Sequence, residues 1–133
     1  MSTQASPFVP LIKENYASLT TFRKNGTAIA TPMWFAERDG VIYIYTGATS
    51  GKVKRIRNTS RVTLAPCTAN GKVTGAVIEG NARIIDDPQE IARAEATLAQ
   101  KYGIQRRLLY LVMRVMDTFR RQSSNSAYLA IEA

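Results

Sequence analysis

The sequence predicts a mainly β protein, an antiparallel barrel of six strands with most of its helix inserted late. Three observations carry this. The first three strands, within residues 16–45, are joined by turn signals too short to hold the crossover helices that a parallel sheet needs. A long alternating stretch, Gly75 to Asp86, puts Ala76, Ile78, Gly80, Ala82 and Ile84 on one face, a small apolar set suited to a barrel interior. Strong helical periodicity is concentrated after Asp87.

Taken in order, Pro7 to Glu14 reads as a partly apolar lead-in with Phe8, Val9, Leu11 and Ile12. Tyr16 to Arg23 is rich in β-branched and aromatic residues and reads as the first strand, closed by the hairpin chemistry of Lys24-Asn25-Gly26. Thr27 to Glu37 follows as the second strand. Arg38-Asp39-Gly40 signals another hairpin into Val41-Ile42-Tyr43-Ile44-Tyr45, the clearest strand of all. A short basic helix comes next, with Val53 and Ile56 three apart as the edge it lays on the sheet. Val62 to Cys67 reads as the fourth strand, with Pro66 marking an edge or bend, and Asn70-Gly71 turns the chain into the fifth. Asp87-Pro88-Gln89-Glu90 opens a helix running to about Tyr102: an N-cap acid, proline at the first helical position, and a glutamate placed as in a capping box. Gly103 ends it. A second helix over Ile104 to Phe119 carries a wide apolar stripe, and Ala127 to Ile131 closes the chain as a strand.

A chain of 133 residues fits a single domain with one core. No run reaches the ~18 apolar residues of a membrane span, and Met1 to Ser6 lacks the order of a secretory signal, so the expected location is the cytoplasm. The sequence has no histidine and one cysteine, Cys67, which reads as a small buried hydrophobe. That removes an internal disulfide, an ordinary structural zinc site, and the usual general base of Ser or Cys hydrolases. Eighteen Lys and Arg against ten Asp and Glu leave a formal charge of +8, which favours acidic partners. A nucleic-acid binder would interleave aromatics with its cations, and Lys52 to Arg57 holds none.

The stretch Tyr45-Thr46-Gly47-Ala48-Thr49-Ser50-Gly51-Lys52-Val53-Lys54-Arg55-Ile56-Arg57-Asn58 joins strand to basic helix. Small residues fall where a helix begins, and the backbone N–H groups there attract an anion. Lys52, Lys54, Arg55 and Arg57 crowd four cations into six positions, as a dianion or polyanion site would; a solvated basic helix is the alternative.

Tyr16 to Arg23, Gly26-Thr27, Thr31-Pro32-Met33-Trp34-Phe35, Gly51 to Arg57, Arg61 to Cys67 and Glu79-Gly80-Asn81-Ala82-Arg83 together resemble the flavin/deazaflavin oxidoreductases of the split β-barrel superfamily. Within it, the sequence is most similar to the pyridoxamine-phosphate-oxidase-like class that uses coenzyme F420. The resemblance runs from Tyr16 to the final strand and lies in the order and spacing of the motifs. It implies a six-stranded antiparallel split β-barrel and a homodimer with cofactor sites between the subunits. Ser50, Gly51 and Lys52 match the phosphate-binding stretch, with Thr49 just before it and Arg55 one turn beyond Gly51. Thr31-Pro32-Met33 matches the strand segment whose backbone meets the tricyclic ring, and Trp34 and Thr46 transfer from neighbouring positions. Trp34 also suits a core or interface role, and Glu79 could receive a partner-chain arginine or face solvent.

The resemblance implies hydride transfer between coenzyme F420 and a small organic acceptor. The chemistry resides in the cofactor, so no catalytic side chain is assigned. FMN in the same Ser50-Gly51-Lys52 cradle, and a non-enzymatic flavin or tetrapyrrole carrier, are the alternatives; no nucleic acid, metal or stable membrane insertion is expected.

Overall fold

The computed structural model describes residues 8, 11–47, 50–101 and 126–133. Pro7, Val9 and Pro10 of the lead-in, Ala48 and Thr49, the Gly103 stop and the helix expected over Ile104 to Phe119 lie outside the described residues.

The first hairpin forms as the pattern dictates. Strand β1 (Tyr16–Phe22) pairs antiparallel with β2 (Ala28–Trp34), from Phe22 opposite Ala28 to Tyr16 opposite Trp34. The second predicted strand, however, is two. β2 ends at Trp34 because β1 has no residue beyond Tyr16 to pair with it. The chain bends at Phe35, whose side chain is wholly buried in the core, and continues as β3 (Ala36–Arg38) on a new partner, β4 (Val41–Gly47). The turn between them holds Asp39 at φ 53° and Gly40 at φ +83°, the two left-handed residues of a type I′ hairpin, and the Gly40 N–H donates to Glu37 Oε2 at 2.8 Å.

Helix α1 (Gly51–Asn58), β5 (Arg61–Pro66), β6 (Ile78–Ile84), helix α2 (88–101 as described) and β7 (Ser126–Glu132) complete the order. The seven strands form one antiparallel sheet in the order β2-β1-β5-β6-β7-β4-β3. Its two edge strands are successive pieces of one chain run, so the sheet curls on itself and is closed covalently at Phe35. β6 is shorter than the expected Gly75 to Asp86, because the chain ahead of it folds back over the end of β5: Thr74 N–H donates to the Pro66 carbonyl at 2.8 Å, and Val73 bridges to Cys67.

The inner face buries Leu19, Ile44, Leu64, Ala82 and Leu129, and α1 adds Val53 and Ile56 to the same core. The alternating face of the fifth predicted strand is realised, with Gly80 and Ala82 buried and Glu79, Asn81 and Arg83 exposed. The outer face of β3, β4 and β7 is also covered. There Tyr43, Ile85 and Ala130 pack with Ala94 of α2, and Ala36 with Leu98.

Asp87 caps α2 through Oδ1, which accepts the Gln89 N–H at 3.2 Å. Glu90 does not complete a capping box. Both its oxygens are taken by the Arg83 guanidinium on β6, at 2.6 Å each, and Arg83 also reaches Glu132 of β7 at 3.5 Å. A bidentate charged pair outcompetes one backbone N–H. At the far end of the described helix, Lys101 Nζ donates to the Glu14 carbonyl at 2.6 Å. No described helix is long and apolar enough to cross a membrane.

The Arg83 guanidinium holds the Glu90 carboxyl below the usual carboxylate range. A carboxyl lowered by folding stabilises the fold fully above its unfolded value, and that contribution is lost as pH falls through the folded value. Glu90→Gln is therefore expected to lower the unfolding free energy in urea by ~0.5–1 kcal/mol at neutral pH, the scale of a partly exposed pair. The difference from wild type should close as pH falls below the usual carboxylate range.

Candidate functional site

The junction of β4 and α1 is built from small residues. The Ser50 N–H donates to the Gly47 carbonyl at 3.1 Å, and Ser50, extended at φ −66° and ψ 157°, caps α1 by accepting the Val53 N–H on Oγ at 3.4 Å. The N–H groups of Gly51 and Lys52, in the first turn, have no intrahelical acceptor available. The first turn carries no acid. Val53 and Ile56 are buried and fix the helix on the barrel, so its polar side is held at a set orientation.

Arg55 turns back along the helix toward this end. Its Nε donates to Oγ1 of Thr21, a wholly buried hydroxyl on β1, at 2.5 Å. Its Nη1 lies so close to Gly51 that an added Cβ there would stand 2.7 Å away. Lys52 is half-buried beside it. Burial first, and the Arg55 charge second, push its ammonium below the ordinary 10.5. Two cations thus converge on a helix N-terminus, while Lys54 and Arg57 face solvent.

Thr31 and Met33 lie opposite Leu19 and Ala17 on the inward-facing side of the β1–β2 ladder, and Met33 packs against the main core. Pro32 lies opposite Ser18 on an edge strand, where its missing N–H breaks no ladder on the open side. Trp34 stands edge-on to Tyr16, ring centroids 6.1 Å apart, and packs, partly buried, against the Ala36 and Leu98 cluster. Thr46 is buried on β4 opposite Ala127. Thr49 lies outside the described residues.

The structure therefore brings Ser50, Gly51, Lys52 and Arg55 together at one helix end, and links them to β2 through β1. Thr21 is opposite Ile29, four residues before Met33, so the Arg55 anchor and the Met33 row are separated by roughly 13 Å of strand. Thr21 is the contributor that sequence reasoning missed. Its signal was a hydroxyl on the inward side of β1, two residues from Leu19. Cys67 is buried and its thiol is pushed up by that burial, while Glu79 pairs with Arg61 of the same sheet at 3.6 Å on the surface.

Residues 3–127 match the pyridoxamine 5'-phosphate oxidase family. The chain belongs to this family. A conserved hypothetical protein of Mycobacterium tuberculosis shares the fold at TM-score 0.68 and 21% identity, over 100% of this chain and 81% of that one. An FAD-binding protein of Mesorhizobium loti gives 0.57 and 15% over 92% and 82%. HutZ, the heme storage protein of Vibrio cholerae, gives 0.63 and 8% over 90% and 82%. No curated protein matches the chain. The fold is thus shared with an FAD-binding protein and with a heme storage protein, and the family supports a flavin-related oxidoreductase or binding protein.

The pair of cations at α1 is directly measurable. Lysine-selective NMR titration should place Lys52 below 10.5. In Arg55→Gln the midpoint should rise, because a like charge is gone, yet stay short of the ordinary value, because the burial persists.

Proposed function

We propose that this protein is an oxidoreductase that binds coenzyme F420 at the N-terminal end of α1 and transfers hydride between it and a small organic acceptor. One observation carries the reading: Lys52 and Arg55 lie together at the first turn of α1, whose N–H groups have no intrahelical acceptor, with Arg55 locked to Thr21 and lying against Gly51. Two cations held close together without an acid in the turn suit a phosphate dianion.

In this reading Ser50 and Thr49 add hydroxyl donors to the phosphate, and Gly51, having no side chain, lets the Arg55 guanidinium lie against the first turn. The Thr31-Pro32-Met33 backbone and Trp34 border the ring, and Thr46 lies one residue from the Gly47 carbonyl that positions Ser50. When bound, the deazaflavin supplies the hydride; the protein binds, orients and excludes water. Lys54 and Arg57, exposed beyond the phosphate position, favour a cofactor with a further acidic tail over FMN, which ends at its phosphate.

FMN in the same cradle is the alternative. Haem is disfavoured: the chain has no histidine, and its one thiol is buried at the end of β5, leaving Met and Tyr as axial candidates. A homodimer with the cofactor between subunits accords with the exposed apolar side chains of Val73 and Val77, on the segment between β5 and β6. A lone unpaired cysteine suits the cytoplasm.

The test is equilibrium binding of F420 and FMN in parallel, followed by Trp34 and ligand fluorescence. Micromolar or tighter binding of F420 alone is the expected result; a preference for FMN moves the protein to the flavin branch, and binding of neither ends the cofactor assignment. Lys52→Ala is expected to weaken the bound cofactor by ~1.5–3 kcal/mol, the scale of a lost charge-assisted hydrogen bond. Unchanged affinity in the folded variant removes Lys52 from the site.

A further inference from the structure

Arg55 owes its position to a residue on another element. An arginine carries several N–H donors on a long stem and samples many rotamers when nothing holds it. Here the Nε–H donates to Oγ1 of Thr21 at 2.5 Å, and Thr21 is wholly buried on β1, 34 positions away. A second point fixes the plane of the guanidinium, because Nη1 lies against Gly51 in the first turn of α1. The remaining donors, on Nη1 and Nη2, enter no hydrogen bond or ion pair among the described residues.

We propose that Thr21 is a positioning residue for anion binding: its hydroxyl holds the Arg55 guanidinium against the first turn of α1 and leaves both Nη groups for phosphate oxygens. The proposal rests on the reading of this helix end as the phosphate site.

The chemistry of the anchor matters as much as its place. A carboxylate would orient the guanidinium firmly, but it would neutralise the charge and occupy the Nη groups in a forked pair. Arg83 shows that arrangement in the same sheet, with the two Glu90 oxygens on Nη1 and Nη2. A hydroxyl carries no charge and here takes only the Nε–H, so Arg55 keeps its full field beside Lys52. Burial keeps the Thr21 oxygen from competing water, where a bond from a charged donor is stronger. Holding Arg55 still before the ligand arrives also removes the entropic cost of ordering a long side chain, which otherwise weakens binding roughly two- to tenfold.

The experiment uses the full chain with inorganic phosphate as the probe, titrated at constant ionic strength and followed by NMR of the Gly51 and Lys52 amides and the Arg55 Nε–H. Thr21→Val keeps the shape and removes the acceptor, while Thr21→Ser keeps the acceptor. Thr21→Val is expected to weaken phosphate binding about fivefold and to release the Arg55 Nε–H to fast exchange before any phosphate is added. Thr21→Ser should stay within about twofold of wild type and keep that signal. In an Arg55→Ala background, which leaves Thr21 nothing to hold, Thr21→Val should change phosphate affinity by less than about 1.5-fold.

Equal phosphate binding by wild type and Thr21→Val, equal losses in Thr21→Val and Thr21→Ser, or a Thr21→Val effect that persists in Arg55→Ala overturns the positioning role and leaves the anion site standing. So does an Arg55 Nε–H that exchanges in wild type as fast as that of exposed Arg57, a measurement that needs no variant. The absence of any phosphate-dependent shift at Gly51 and Lys52 in wild type overturns the anion site itself, and the role of Thr21 falls with it.

Discussion

The bend at Phe35 is the constraint on which the rest of this fold depends. A sheet of seven strands has two edges, and here both belong to one short run of chain, β2 before the bend and β3 after it. Closure is therefore covalent at that point and needs no ladder of hydrogen bonds between the edges. Burying the Phe35 ring fixes the bend, because the ring lies in the same core as Leu19, Ile44 and Leu129. Everything that faces inward along β1, β4, β5 and β7 is then committed to one interior, and the outer face of β3, β4 and β7 is left for α2. Contacts to other elements pin that second layer at both ends: Arg83 with Glu90 at one end of the described helix, and Lys101 with Glu14 and Phe35 at the other.

Most of this was legible from residues, because the decisive signals are local. Asn-Gly and Asp-Gly turns, alternating strands and an Asp-Pro helix start each fix geometry within a few positions. The fifth strand shows how far such a pattern reaches. Its small apolar face is the buried one, yet the strand begins only at Ile78, since a fold-back onto Pro66 occupies Val73 to Gly75 and nothing local announces it. The split of the second strand was hidden for a similar reason. Thr27 to Glu37 is uniformly extended; only the register against β1, which runs out at Tyr16, forces a change of partner. Glu90 had the right spacing for a capping box, and an arginine seven positions back on another element claimed it.

The candidate site divides in the same way. Ser50, Gly51, Lys52 and Arg55 were readable as a group because a helix start and a helical turn are short-range features. That Arg55 would turn inward to Thr21 was not, since the partner is 34 residues away and the contact depends on how α1 sits on β1. Likewise the inward placement of Met33 follows from register, and the T-shaped contact of Trp34 with Tyr16 follows from their being directly opposed across the ladder.

The energetics of α1 bear on why such a group is present at all. A helix is stabilised by acids in its first turn and bases in its last. This one has bases at both ends: Lys52 in the first turn with no acid beside it, and Arg55 and Arg57 in the last. Lys52 is further penalised by burial and by the neighbouring Arg55 charge, both of which disfavour its ammonium form. A helix of eight residues has little intrinsic stability to spare, so α1 is held by the burial of Val53 and Ile56 against charges that oppose it. Local rules broken without compensation elsewhere in the fold point to a functional site. An anion seated at the N-terminus would relieve all three penalties at once: the dipole, the desolvated ammonium and the repulsion between Lys52 and Arg55. The arrangement is unfavourable as a structural device and favourable as half of a complex, which is the physical argument for a phosphorylated ligand at this end of α1.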